Sequence, residues 1–79
     1  MVSAEIQKTI REMREQKGWD TAHLAKQVCL SVRQVQQLEG EPGDSFYSDH
    51  IRFLAAKKVL FSLGWESDKI AQLAAAGEH

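Results

Sequence analysis

Cysteine and proline are scarce in this sequence, and long apolar runs are absent. These features limit cross-links, domain divisions and membrane spans. Cys29 is the only cysteine, so no disulfide can form within the chain. Pro42 is the only proline, and it lies in a short polar loop over residues 41–45 that joins two helical regions without dividing the chain into two domains. No stretch approaches the ~20 apolar residues of a membrane helix, and the N-terminus lacks the basic-then-apolar layout of a signal peptide. We therefore expect one soluble, cytoplasmic domain.

The patterns that accompany catalysis are missing as well. The chain has no glycine-rich phosphate loop, no nucleophile elbow and no pair of carboxylates in a catalytic arrangement. The three histidines, His23, His50 and His79, lack metal-ligand spacing, and Cys29 has no partner for a zinc site. The sequence therefore argues against an enzyme and predicts no cofactor and no metal.

Excess charge of either sign is also absent. Ten basic and eleven acidic residues among 79 give a net charge of −1, whereas a DNA-binding domain is expected to be basic. The two halves differ slightly, since residues 1–40 carry six basic and five acidic groups and residues 41–79 carry four and six. We expect any nucleic-acid surface to lie in the first half.

Apolar periodicity and capping signals predict a single all-α domain over residues 1–79. The sharpest helix start is Ser31, with Gln34 three residues later completing a capping box and with Leu30 and Val35 placed as a hydrophobic staple. Five helices are expected, at about 3–17, 20–28, 31–39, 48–63 and 67–76.

The fourth helix is apolar on two faces, and one core cannot cover both. One face carries Ile51, Leu54 and Phe61. The opposite face carries Phe53, Ala56, Leu60 and Leu63. Two explanations remain open. Either the fifth helix covers the second face through Ile70, Leu73 and Ala74, or a second copy does so in a homodimer formed through helices four and five.

Two short helices joined by a tight turn, after a longer supporting helix, are typical of DNA-binding domains whose second helix enters the major groove. In the stretch from Gly18 to Glu39, Ser31 is the cap of the second helix and Glu39 lies at its end. The positions that pack the two helices together are Leu24, Ala25, Val28, Val35 and Leu38. This pattern resembles the helix-turn-helix of the lambdoid phage repressor family (Cro/cI, or XRE-type). The resemblance implies a five-helix repressor-like domain and a bacterial, sequence-specific transcriptional regulator that binds double-stranded DNA.

The resemblance also implies which side chains contact DNA. Base contacts in this family come from residues just after the cap of the second helix and one turn further along. Arginine can pair with guanine and glutamine with adenine, and a valine methyl can touch thymine. The implied base-reading residues are Val32, Arg33, Gln36 and Gln37. The implied phosphate contacts are Thr21, Lys26 and Ser31.

Several positions depart from the family pattern. Thr21 stands where the family often has glutamine, and Asp20 places a carboxylate where a phosphate would approach. The loop after the third helix, often basic in the family, contains Glu41 and Asp44. We therefore expect fewer phosphate contacts and weak binding by a monomer. Cys29 occupies a turn position that is usually glycine, and we expect it to be small and partly buried.

A second resemblance covers the following half of the chain. The segments Leu38-Glu39-Gly40-Glu41, Phe46-Tyr47, Phe53-Leu54-Ala55 and Leu63-Gly64 are similar to the N-terminal cytoplasmic domain of RodZ, a bacterial cell-shape protein. In that family the helix-turn-helix fold docks onto the actin-like protein MreB. The resemblance implies an alternative function as a protein-docking module, with Tyr47 and Phe53 facing a protein partner. Both aromatics are otherwise expected to be core or loop anchors.

Overall fold

The computed structural model describes residues 2–76 and folds them into five α-helices, without a β-strand in this range. Met1, Gly77, Glu78 and His79 lie outside the described residues, so the ends of the expected 1–79 domain lie there too. The all-α, five-helix prediction is confirmed. The helices are α1 Ala4–Gln16, α2 Thr21–Val28, α3 Val32–Leu38, α4 Asp49–Ser62 and α5 Ser67–Ala76.

Local side-chain caps set the starts of four helices. Ser3, Asp20 and Ser48 each accept a hydrogen bond from the backbone N–H three residues later, which satisfies one of the unpaired donors of the first turn. Ser31 does the same at α3, within the predicted capping box. Ser67 is the first residue of α5, whereas the sequence suggested it as the cap.

The core is built from one apolar face of each helix. α2 packs on α3, α4 lies against α1 and α2, and α5 closes on α4 and α1. Most of the buried side chains are long aliphatics, which give the largest gain in free energy when they leave water. They are Ile6, Ile10, Leu24, Val28, Val35, Leu38, Val59, Leu60, Leu63 and Ile70, with Ala25 and Ala56 between them.

The two apolar faces of α4 have different environments. Ala56, Leu60 and Leu63 are buried, and α5 helps to cover this side through Ile70, as in the first of the two explanations. The opposite face stays open in the described residues, with Ile51, Leu54 and Phe61 exposed. No helix within residues 2–76 is long and apolar enough to cross a membrane.

A partly buried ion pair ties α1 to the end of α3. Arg14 donates two hydrogen bonds to the carboxylate of Glu39, at 2.8 and 3.0 Å, and a third to the carbonyl oxygen of Trp19 at 2.8 Å. The bidentate arrangement matches the planar guanidinium to the carboxylate. The hydrogen bond to Glu39 raises the pKa of Arg14 above its ordinary value, so the guanidinium stays protonated throughout the physiological pH range.

Candidate nucleic-acid interface

The turn between α2 and α3 holds the two helices in close contact. Ala25 is buried on α2, where its small side chain permits the approach of α3. Cys29 ends α2 in the left-handed region, with φ 59° and ψ 39°, and Leu30 N donates to the Ala25 carbonyl at 2.9 Å. Cys29 is exposed, so the expectation that it would be partly buried is wrong. The left-handed turn directs its side chain outward and leaves the packing to its neighbours.

One face of α3 is open to solvent and carries most of the predicted base-reading residues. Val32, Arg33 and Gln36 are all exposed. At 100° per residue these three lie within a 100° arc, opposite the buried Val35 and Leu38. The structure therefore places an aliphatic side chain, a guanidinium and a carboxamide on one outward surface.

Ser31 begins this surface at the N-terminus of α3. Its hydroxyl oxygen accepts from Gln34 N at 3.1 Å, and its own N–H donates to the side-chain oxygen of Gln34 at 3.0 Å. The capping role uses the hydroxyl as an acceptor, so its hydrogen remains available to donate. Ser31 is exposed and can donate to an anion in front of the helix.

Gln37 does not belong to this surface, and the expectation that it faces outward is wrong. Its side chain is only 2% exposed. Its Nε2 donates to Ser45 Oγ at 2.8 Å, and its Oε1 accepts from Ser45 N at 3.0 Å. Arg52 adds a hydrogen bond at 2.8 Å to the carbonyl oxygen of Gln37. The carboxamide therefore holds the loop after α3 in place and cannot reach a base.

The predicted phosphate-contacting residues flank the α3 face. Lys26 lines a shallow depression between α2 and the start of α3, together with Ser31 and Val32. Thr21 is partly exposed at the first position of α2. Its neighbour Asp20 shares the depression with Lys26, and its Oδ1 accepts from His23 N at 2.7 Å. The capping hydrogen bond occupies one carboxylate oxygen of Asp20. The negative charge of Asp20 nevertheless lies beside the predicted phosphate contacts Thr21 and Lys26.

His23 is a residue of this depression that sequence reasoning did not assign to the site. It is exposed on α2, and its ring lies 4.7 Å from that of Trp19, measured between centroids. Its place in the sequence, two residues after Thr21 and four before Gln27, matches no binding motif. Only the packing of α2 on α3 brings it near Ser31 and Val32.

Two cations of the first half already form ion pairs within the protein. Arg14 is held by Glu39, and Lys8 pairs with Glu12 at 3.8 Å on the exposed surface of α1. The exposed cations closest to the α3 face are Lys26 and Arg33, on the two adjoining helices. The positive charge available there is small, which agrees with the low net charge of the chain.

The aromatic residues singled out by the second resemblance have different environments. Tyr47 is 97% exposed just before α4. Phe53 is partly buried and packs against the core, with Lys57 Nζ 5.5 Å from its ring centroid. Tyr47 is therefore free to contact a partner, whereas Phe53 has the core-anchoring role that the sequence left open.

Comparisons of the chain with models of protein families, with curated protein sequences and with solved structures gave no match. The structure brings His23, Lys26, Ser31 and Val32 together in one depression. Arg33 and Gln36 are exposed on α3, and Thr21 is partly exposed at the start of α2.

Proposed function

We propose that this protein is a cytoplasmic, sequence-specific DNA-binding regulator of the helix-turn-helix type, similar to the Cro/cI group. The observation that carries the proposal is the outward face of α3, where Val32, Arg33 and Gln36 stand beside the capped helix start at Ser31. A capped helix packed rigidly on α2, with base-complementary groups on its free side, is suited to the major groove.

Each side chain of this face has a distinct partner among the base edges. Arg33 can donate two hydrogen bonds to guanine O6 and N7, and Gln36 can bond adenine N6 and N7. Val32 offers a methyl surface to thymine. A well-formed bidentate pair contributes about 1–3 kcal/mol of discrimination, so Arg33 and Gln36 together can specify part of a half-site.

Phosphate contacts are fewer than in a strongly basic domain. Lys26 supplies a cation, and Ser31 and Thr21 supply hydroxyl donors, while Asp20 opposes an approaching phosphate. Each phosphate neutralised contributes about 0.9 to the slope of log K against log salt. We therefore expect a shallow salt dependence and weak non-specific binding.

The direct test is selection from a random duplex library at low salt with the purified 79-residue protein. We expect enrichment of a short motif containing a guanine and an adenine, read by Arg33 and Gln36. Failure to enrich any motif would exclude sequence-specific recognition.

A matched pair of variants separates base reading from phosphate binding. Arg33→Ala should relax selectivity at one base pair by about 1–3 kcal/mol. Lys26→Ala should weaken binding to all DNA sequences alike and lower the slope of log K against log salt by about 0.9. Competition binding with the enriched duplex and single-base variants measures both effects. An equal loss on every duplex for Arg33→Ala would show that Arg33 is not a base reader.

A second candidate function is a RodZ-like protein-docking module. The observation in its favour is Tyr47, a large side chain that is almost fully exposed just before α4. Tyrosine is favoured at interfaces because it contributes a large contact area and a hydrogen bond. Under this alternative, Arg33→Ala and Gln36→Ala leave partner binding intact, whereas Tyr47→Ala abolishes it.

A further inference from the structure

His23 is an exposed histidine that lines the depression between α2 and the start of α3. The same depression is lined by Lys26, Ser31 and Val32, which belong to the α3 face or flank it. At 100° per residue, His23 and Lys26 lie about 60° apart on α2, so both side chains project on the same side of the helix. His23 therefore stands beside the lysine that is the predicted phosphate-binding cation.

An aromatic neighbour orients the ring of His23. The centroids of the His23 and Trp19 rings are 4.7 Å apart, and the ring planes are tilted by 57°. Trp19 is partly buried and packs against the core, so it is a fixed support for the imidazole. The face of a tryptophan ring attracts a cation at this range. The contact therefore accommodates the protonated form of His23 as well as the neutral form.

Charged groups of both signs lie around this imidazole on the neighbouring elements. They are Lys17 after α1, Asp20 and Lys26 beside and on α2, and Arg33 on α3. Arg14, at the end of α1, is already paired with Glu39. Asp20 is the single carboxylate among the four unpaired groups named, and it opposes an approaching phosphate. A proton on His23 would offset that charge at the edge of the α3 face.

We propose that His23 is a further phosphate-contacting residue and that its protonation tightens the binding of DNA. The inference rests on the proposed DNA-binding function and adds a pH dependence to it. In a helix-turn-helix the first helix of the pair crosses the DNA backbone while the second enters the groove, so an α2 side chain that borders the start of α3 lies next to phosphates. An imidazolium donates from both ring nitrogens, whereas a neutral imidazole donates from one.

The direction of the pH dependence follows from linkage between proton and DNA binding. Histidine side chains ordinarily change charge near pH 6.5, and an anion within about 4–6 Å favours the charged form. DNA therefore binds the protonated protein more tightly, and the gain is lost as the pH rises past neutrality. We expect roughly tenfold tighter binding at pH 5.5 than at pH 8.0, the effect of one charge-assisted contact. The slope of log K against log salt should be about 0.9 steeper at the lower pH.

Fluorescence anisotropy with a labelled duplex of mixed sequence, at low salt and at both pH values, tests this proposal. Phosphate contacts are independent of base sequence, so the pH dependence is measurable on any duplex. Enrichment of no motif in the library selection would bear on sequence-specific recognition alone. Equal wild-type affinity at the two pH values would overturn the assignment of His23 and leave DNA binding intact. Absence of binding at both pH values would overturn both proposals.

Substitutions of single histidines identify the titrating group. His23→Gln should bind at both pH values as the wild type does at pH 8.0, because it cannot gain a charge. His23→Lys should bind at both as the wild type does at pH 5.5. His50→Gln, at an exposed histidine of α4, is the matched control and should keep the wild-type pH dependence. Circular dichroism at both pH values verifies that each variant folds.

Three further outcomes would overturn the role of His23. The first is a pH dependence that survives in His23→Gln, and the second is one that disappears in His50→Gln. The third is a wild-type salt slope that is the same at pH 5.5 and pH 8.0. Protonation that altered only the fold of α2 would change the affinity without changing that slope, so the slope separates a phosphate contact from a structural effect.

Discussion

Gln36 and Gln37 are adjacent in sequence and chemically identical, yet the structure gives them opposite roles. Gln36 is exposed on the candidate DNA-binding face of α3, whereas Gln37 is buried against the following loop. The structure therefore predicts that Gln36→Ala alters DNA selectivity without affecting stability, and that Gln37→Ala does the reverse. The two substitutions remove the same atoms, which makes them controls for each other.

The magnitude for Gln37→Ala follows from its contacts. Truncation removes both hydrogen bonds to Ser45 and leaves the Ser45 N–H without its acceptor. An unpaired buried donor costs about 1–3 kcal/mol, and Ser45 is only partly buried, so its N–H recovers some hydration. The lost methylene adds about 0.8 kcal/mol. We expect a total of about 2 kcal/mol, or about 10 °C in Tm for a domain of this size.

Urea denaturation followed by circular dichroism measures the two free energies of unfolding. Gln36→Ala should stay within about 0.5 kcal/mol of the wild type, as exposed substitutions usually do. Gln37→Met keeps the side-chain volume but not the hydrogen bonds, so its free energy of unfolding should fall less than that of Gln37→Ala. Equal stabilities for Gln36→Ala and Gln37→Ala would refute the buried position of Gln37. So would a Gln37→Ala protein of wild-type stability whose selectivity changes at a single base pair.

Three further predictions concern the fold that supports the site. Glu39→Gln should destabilise the protein by about 2 kcal/mol, because Arg14 keeps a partly buried charge without its ion partner. The double variant with Arg14→Met, measured in a urea double-mutant cycle, should lose less than the sum of the single changes. Cys29→Gly should stabilise the protein by about 0.5–1 kcal/mol in the same assay, because glycine adopts the left-handed turn conformation without strain, and a loss of stability would contradict that conformation. Gly43→Ala should lower the Tm more than Gly64→Ala does. Both glycines have positive φ, but only a Cβ at Gly43 would collide with the buried side chain of Gln37. Equal effects on the Tm would contradict that contact.

The parts of the fold that depend on neighbouring residues were predictable from the sequence. The capping box of Ser31 and Gln34 joins residues three apart, and both of its hydrogen bonds are present. Asp20 and Ser48 cap their helices for the same reason. Such interactions require only the right side chains at the right separation, so they follow from the sequence regardless of how the helices pack.

The parts that depend on distant segments were not predictable. Gln37 lies at the edge between the exposed and buried arcs of α3, so periodicity alone could not assign its side. Its burial depends on residues 43–45 folding over it, and that path requires the positive φ of Gly43. Arg14 and Glu39 are 25 residues apart, and their pairing required the mutual placement of α1 and α3. The count of basic residues in the first half therefore overstated the charge available to DNA.

The candidate DNA-binding face and the exposed apolar face of α4 belong to different helices, so substitutions in the two faces have separable effects. Arg33 and Gln36 lie on α3, whereas Phe61 and Leu54 lie on the exposed apolar face of α4. If the protein binds DNA as a dimer, Phe61→Glu should reduce affinity on a two-fold site while leaving the preferred bases of one half-site unchanged. Arg33→Ala should change the preferred base and leave the mass in solution unchanged. Because few phosphate contacts are available to one protomer, a dimer on a two-fold site would gain most of its affinity from the simultaneous binding of both α3 faces.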